Sequence, residues 1–260
     1  MKVISQTLSR EFETLNLYVL ADAHIGSPNC NYKQIDKFIN EVLSKENNYV
    51  ILNGDLADNA IIGSKSDIYT QLLSPMDQIK EVARILKPIK HRILGAVYGN
   101  HEQRSYKQTG LDMTYLALVE LLGAEKANRL YAKDTCLLFI EFGRNNGRDN
   151  RRTIYSVFFS HGTAGGGTVG AKANRLDKMS NIMNADVFIH SHTHMPLVFK
   201  QNTSNVDYRN KKLNQKTSLF VNSNAFLVGG YAEAWFLKAP SIDYPHIILN
   251  GSHREVLAVL

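Results

Sequence analysis

Five apolar runs in this chain each stop at a residue able to bind a metal ion. Residues 15–21 stop at Asp22 and His24, 49–52 at Asp55, 92–98 at Asn100, 153–159 at His161, and 187–189 at His192 and His194. Each run has strand length, and a near-continuous apolar run is what a strand covered on both faces requires. In open α/β sheets, ligand-binding groups gather beyond the carboxyl ends of the strands. A chain of this kind is therefore constrained to fold so that its run ends meet at one sheet edge, carrying carboxylate, amide and imidazole donors with them.

Helical signals fill the gaps between runs. Tyr32, Ile35, Phe38, Ile39, Val42 and Leu43 recur at helical spacing, so residues 15–52 read as strand, helix, strand, a crossover that implies parallel pairing. Ser74 and Pro75 open a second helix as N-cap and first helical residue, and Lys87-Pro88 closes it. Residues 111–122 predict a helix closed by Gly123, 136–142 and 153–159 two strands joined by a polar hairpin, and 169–183 a further helix. From Pro196 onward the pattern is mostly extended, with turn clusters around 202–214, 222–224 and 250–251. The expected fold class is α/β, with two packed sheets flanked by helices. Neither a linker nor a fixed-period repeat interrupts it, so 1–260 is expected to be a single domain.

No stretch approaches the roughly 20 apolar residues that span a bilayer, and the N-terminal segment is too polar for a secretory signal. A soluble cytoplasmic protein without a membrane partner is expected, or one of the host cytoplasm if phage-encoded. Cys30 and Cys136 lack metal-motif spacing and read as idle thiols. Thirty Lys and Arg against 24 Asp and Glu give a formal charge of +6, which favours anionic partners. Oligomeric state has no sequence signal.

The pairs Asp22/His24 and His192/His194 are each spaced by two, so in extended backbone both members share a face. Oxygen and imidazole donors without thiolate suit Mn²⁺, Fe or Zn²⁺. The order Asp22-x-His24, Gly54-Asp55-x-x-Asp58, Gly99-Asn100-His101-Glu102, His161-Gly162 and Ser191-His192-x-His194 resembles the calcineurin-like metallophosphoesterases over about residues 15 to 200. That family includes phosphoprotein phosphatases, nucleases, and phage and bacterial phosphodiesterases. The resemblance implies a four-layer α/β/β/α sandwich and two divalent metal ions, Mn²⁺ first, with Fe, Zn²⁺ or Ni²⁺ as alternatives. It implies one ion on Asp22, His24 and His194, the other on Asn100, His161 and His192, and Asp55 bridging them. Two positions depart from the family pattern: Ser191 stands where Gly is usual, and Glu102 where Asp is commoner.

The function expected from this set is hydrolysis of phosphodiester bonds, of nucleic acid or nucleotides, by a hydroxide bridging two ions roughly 3.5–4 Å apart. His101 is the candidate catalytic residue, contacting the leaving-group oxygen as its counterpart does in the family. Asp58 is expected to orient a ligand histidine or cap a helix. The same ligands would serve a phosphomonoesterase, acting on a phosphoprotein or small molecule, and a non-catalytic subunit of a nucleic-acid complex is the alternative outside catalysis. Ordinary packing accounts for His91, His246 and His253, while His190 fits either strand-end packing or orienting a ligand. Gly165-Gly166-Gly167 lacks the following Gly-Lys-Ser/Thr of a phosphate loop. Lys172 and Arg175 read mainly as solvated helix charges, and the four arginines of 144–152 as a mobile hairpin or a backbone-tracking one. Arg104, Tyr106 and Lys107 are better placed to border the site.

Overall fold

The computed structural model describes residues 1–64, 66–143, 152–163, 167–228, 241 and 243–260. The apolar runs become two six-stranded sheets packed face to face and flanked by helices. The first sheet is built on β2 (Thr14–Leu20), β3 (Asn48–Asn53) and β4 (Ile93–Val97), mutually parallel as the crossovers require. Short β5 (Tyr131–Ala132) extends it on one side; β11 (His246–Asn250) and β12 (Val256–Val259) extend it on the other. The second sheet runs in the order β1 (Lys2–Thr7), β6 (Thr135–Phe142), β7 (Thr153–Ser160), β8 (Val187–His190), β10 (Lys212–Asn222) and β9 (Leu197–Asp207).

Alternation along β2 distributes its side chains between two cores. Leu15, Leu17 and Val19 point between the sheets with Leu138, Ile140, Tyr155, Val157, Phe159 and Ile189. Tyr18 and Leu20 point outward beneath α1 (Tyr32–Leu43) and α2 (Pro75–Leu86), where they meet Phe38, Ile39, Val82 and Leu86. A smaller cluster of Phe158, Phe188 and Phe220 against Leu176 packs α6 (Val169–Asp177) on the opposite face, completing the expected four layers. Asn31 and Ser74 cap α1 and α2 through their side-chain oxygens.

Several boundaries differ from expectation. Residues 2–7, in the polar N-terminal segment for which no element was expected, form β1 at the edge of the second sheet, paired in parallel with β6. Asn100–Thr109 is a helix, α3; the helix expected over 111–122 is α4, Met113–Leu122, capped by Asp112; and Ala124–Leu130 adds α5. The helix expected over 169–183 stops at Asp177 and tightens into a 3₁₀ turn over Lys178–Asn181. The turn cluster expected over 202–214 is mostly strand: β9 and β10 pair in register from Leu197↔Asn222 to Asp207↔Lys212.

Candidate metal centre

Strands β2, β3, β4, β7 and β8 all end at the same edge, and three side chains just beyond β2 and β3 share one arrangement: one polar atom is tied down and the other is left without a hydrogen bond. Asp22 Oδ2 accepts the backbone N–H of His192 at 3.0 Å, leaving Oδ1 buried without a hydrogen bond. Asp55 Oδ1 accepts the N–H of His101 at 2.8 Å, leaving Oδ2. His24 Nδ1 lies 3.3 Å from Asp58 Oδ1, leaving Nε2. Six buried side-chain atoms lack a hydrogen bond among the described residues, and these are three of them. Buried polar atoms left unpaired are costly, so their concentration here fits a site completed by a cation.

Donor atoms of Asp22, His24 and His194 lie within 4.8 Å of one another, as do those of Asp22, Asp55, His161 and His192. Asn100 joins the second group, with Oδ1 3.2 Å from His161 Nε2. All seven residues singled out as metal ligands are thus brought together. By this geometry Asp22 is the residue common to both groups, and Asp55, which the resemblance had made the shared ligand, falls in the second. His161 Nε2 stands 3.1 Å from Asp55 Oδ2, and His194 Nε2 stands 3.1 Å from Asp22 Oδ1.

The reason the paired ligands converge differs from the one expected. β2 ends at Leu20 and β8 at His190, so neither pair sits in extended strand. Instead Asp22, His24, Asp55, His192 and His194 have φ of 52°, 47°, 50°, 66° and 53°. They account for five of the seven non-glycine residues with positive φ among those described. This left-handed conformation is uncommon outside glycine and persists where surrounding structure enforces it, typically at functional sites. Glycine is required at two nearby positions by close approach: a Cβ on Gly99 would run into Asp55, and one on Gly162 into the His190 ring.

Supporting residues fix these ligands. His161 Nδ1 meets the carbonyl of Asn53 at 2.7 Å, which turns Nε2 toward the carboxylates. The Asn53 side chain ties the ends of β7 and β8 together by donating to Ser160 O at 3.0 Å and Ser191 Oγ at 2.6 Å. Ser191 thus uses its hydroxyl where the family usually has glycine, and it also receives a hydrogen bond from Ser223 Oγ at 2.8 Å. Asp58 lies 3.3 Å from Nδ1 of both His24 and His101, the orienting role expected of it. His190 rests on Asn222 Oδ1 at 2.9 Å. Glu102 is fully buried and accepts the backbone N–H groups of Asp55, Ala57 and Gly99 at 3.0, 3.0 and 2.9 Å. The roles of Asn53, Glu102 and Asn222 were missed. Glu102 lies inside a recognised motif and Asn53 directly before one, whereas Asn222 has no sequence signal linking it to His190.

Burial alone would raise the pKa of Asp22, but His194 and His161 hold it down to about 2. Burial would lower that of His161, but Asp55 and Asp22 lift it to about 10. Burial together with His161 lowers His192 to about 4. Burial followed by the Asp55 charge raises Glu102. This pattern is that of anionic oxygens gathered around a point where positive charge belongs.

A cleft of about 1080 Å³ opens over the cluster, its wall including His24, Asp58, Asn100, His101, Arg104 and His192. His101 presents Nδ1 to the Asp58 carbonyl at 2.6 Å, and Arg104 Nη2 lies 3.0 Å from His101 Nε2. Lys172, read mainly as a solvated helix charge, donates to the Thr193 carbonyl at 2.7 Å, within the His192–His194 turn. His246 stacks on Tyr18 and His253 lies beside Glu255, as packing accounts for them, and both cysteines are buried free thiols. Most of the 144–152 hairpin, and Gly165 and Gly166, lie outside the described residues.

Fold and site together define an α/β protein whose Asp/His clusters fit divalent-metal binding. The chain belongs to the calcineurin-like phosphoesterase family, whose model matches residues 15–196. No curated protein matches the chain by sequence. Among solved structures it is similar to a predicted phosphoesterase of Streptococcus pneumoniae (12% identity, 95% of this chain and 89% of that one, TM-score 0.39). It is also similar to Vps29 of Entamoeba histolytica (13%, 94% and 98%, 0.42) and a metallophosphoesterase of Sphaerobacter thermophilus (12%, 93% and 90%, 0.38). Among the described residues no helix is long and apolar enough to cross a membrane.

Proposed function

We propose that this protein is a dinuclear-metal phosphoesterase acting on phosphodiester bonds of nucleic acid or nucleotides. The observation that carries the reading is the trio of buried atoms without a hydrogen bond, Asp22 Oδ1, His24 Nε2 and Asp55 Oδ2, among donors spaced for metal binding. Asp22, His24 and His194 would hold one ion, and Asn100, His161 and His192 the other, with Asp55 and Asp22 reaching both. Two divalent ions, Mn²⁺ first, supply Lewis acidity toward phosphoryl oxygens and lower the pKa of water. The chain's own residues do the rest. Asp58 and Asn53 fix the imidazole orientations, and the backbone N–H groups of His192 and His101 fix the carboxylates, so the site needs little reorganisation when charge develops on the phosphoryl group. His101 stands over the cleft with Nε2 3.8 Å from Asp55 Oδ2, placed to contact a leaving-group oxygen. An open cleft and a +6 charge support an extended anionic substrate over a compact monoester.

Parallel assays with Mn²⁺ on bis-p-nitrophenyl phosphate and p-nitrophenyl phosphate test the reading, and hydrolysis confined to the monoester would overturn the diester assignment. His101→Ala is expected to keep its metal and lose on the order of 10²–10⁴-fold in rate. Asp55→Asn is expected to lose metal occupancy as well. Equal turnover in metal-replete His101→Ala would remove that residue from the mechanism.

A further inference from the structure

Arg104 is the cation in the cleft whose surroundings the proposed chemistry does not use. It sits on the second turn of α3, one turn beyond His101, and its guanidinium is held on three sides. Nη1 donates to the Asp58 carbonyl at 3.3 Å and to Ser66 Oγ at 3.1 Å, and Nη2 donates to His101 Nε2 at 3.0 Å. All three acceptors are uncharged groups. Among the described residues Arg104 has no carboxylate partner, and its Nε–H and second Nη2 hydrogen have no acceptor. A permanent cation is thus fixed beside a cluster that itself fits divalent cations, so with ions bound like charges would accumulate on one wall of the cleft. Repulsion of that kind is relieved when an anion settles between the charges.

We propose that Arg104 is the substrate-anion receptor of this cleft, donating to a non-bridging phosphoryl oxygen, and that it is parked on His101 Nε2 until the phosphate arrives. The inference rests on the phosphoesterase reading. Two features support it. A guanidinium has a rigid planar fork matched to phosphate oxygens, and here its Nη1 side is already anchored, so little side-chain freedom is lost when the other side binds. In addition, its Nη2 occupies the His101 nitrogen that faces the site, so a phosphoryl group touching that nitrogen meets the guanidinium at the same point. Arrival of the anion would draw Nη2 off the imidazole and uncover Nε2 toward the reacting group. Arg104 therefore acts both on substrate and as a positioning residue for His101.

The test is calorimetric titration of Mn²⁺-loaded protein with inorganic phosphate, alongside steady-state kinetics on bis-p-nitrophenyl phosphate, for wild type, Arg104→Lys, Arg104→Gln and Ser66→Ala. Arg104→Gln is expected to bind phosphate about tenfold or more weakly, the loss of a charge-assisted contact, with bound Mn²⁺ unchanged. KM should rise by a similar factor, and Arg104→Lys should recover part of both. Ser66→Ala removes one anchor and keeps the guanidinium, so its phosphate affinity should fall clearly less than that of Arg104→Gln. Phosphate affinity unchanged in Arg104→Gln, absent in wild type, or lost equally in Ser66→Ala would overturn the proposal, the last by showing that Arg104 only braces the loop. Wild-type protein that binds phosphate through Arg104 but hydrolyses no ester would instead count against the phosphoesterase reading alone.

Discussion

Asp22, Asp55 and His24 each spend one polar atom on the protein and keep one in reserve, and that division has a consequence in pH. His161, lifted to about 10 by Asp55 and Asp22 against the lowering effect of burial, carries a proton at neutral pH when no metal competes for its Nε2. Metal ligation needs neutral imidazole, so binding must expel that proton. Apparent Mn²⁺ affinity should therefore climb with pH between about pH 6 and 9, with close to one proton released as the ion held by His161 binds. Titration calorimetry in two buffers of different ionisation heat reads this directly; an affinity flat in pH with no proton release would show that His161 is not displaced. The identities of all seven clustered residues were legible because each lies within five residues of the end of an apolar run. Their conformation was not. Left-handed backbone at five of them is imposed by contacts from elsewhere in the chain, such as the hydrogen bond from the His192 N–H to Asp22, 170 residues earlier.

Helix α3 shows how an element can be essential and still nearly invisible in sequence. Its residues, NHEQRSYKQT, carry no apolar stripe, and Glu102 is its only buried side chain. What fixes it is that carboxylate, which gathers three backbone N–H groups from the β3 turn and from the helix's own start. Glu102→Ala leaves all three donors buried and unpaired, at about 1–3 kcal/mol each, so a loss of about 3 kcal/mol or more is expected in urea unfolding. Glu102→Gln keeps one acceptor oxygen and should lose less. If the two variants unfold alike and near wild type, the carboxylate is not what holds the turn. Helices α1 and α2, by contrast, were legible from apolar periodicity and, for α2, from its Ser74 cap. Strand β1 and the distal part of the β9–β10 ribbon were missed for the same reason as α3: they are largely exposed, so the two-residue alternation that marks a half-buried strand is weak or absent.

At the scale of the whole molecule, a polar tie joins the two sheets at a point away from the site. Asp186, just before β8, accepts Ser156 N–H and Oγ–H at 2.8 and 2.7 Å, and its other oxygen meets Lys216 at 3.2 Å and Arg254, in the β11–β12 connection, at 2.6 Å. Burial pushes its pKa up, but the Ser156 and Arg254 hydrogen bonds prevail and the net shift is downward. A carboxylate depressed in the folded state stabilises it fully above the unfolded value of about 3.9 and loses that contribution as pH falls through the folded value. The stability gap between wild type and Asp186→Asn should thus be constant above about pH 5 and shrink below about pH 4, as followed by urea midpoints; a gap that widens in acid would refute the assignment. Taken by itself, the sequence determined the parallel α/β frame, the list of ligand candidates and the chemistry they suit, because strand length, apolar burial and donor type are local properties. Only the tertiary structure decided that Asp22 reaches both donor groups, that Glu102 and Asn53 brace them, and that Arg104 stands on His101. Those facts depend on contacts between residues distant in the chain, which become neighbours only when the two sheets pack.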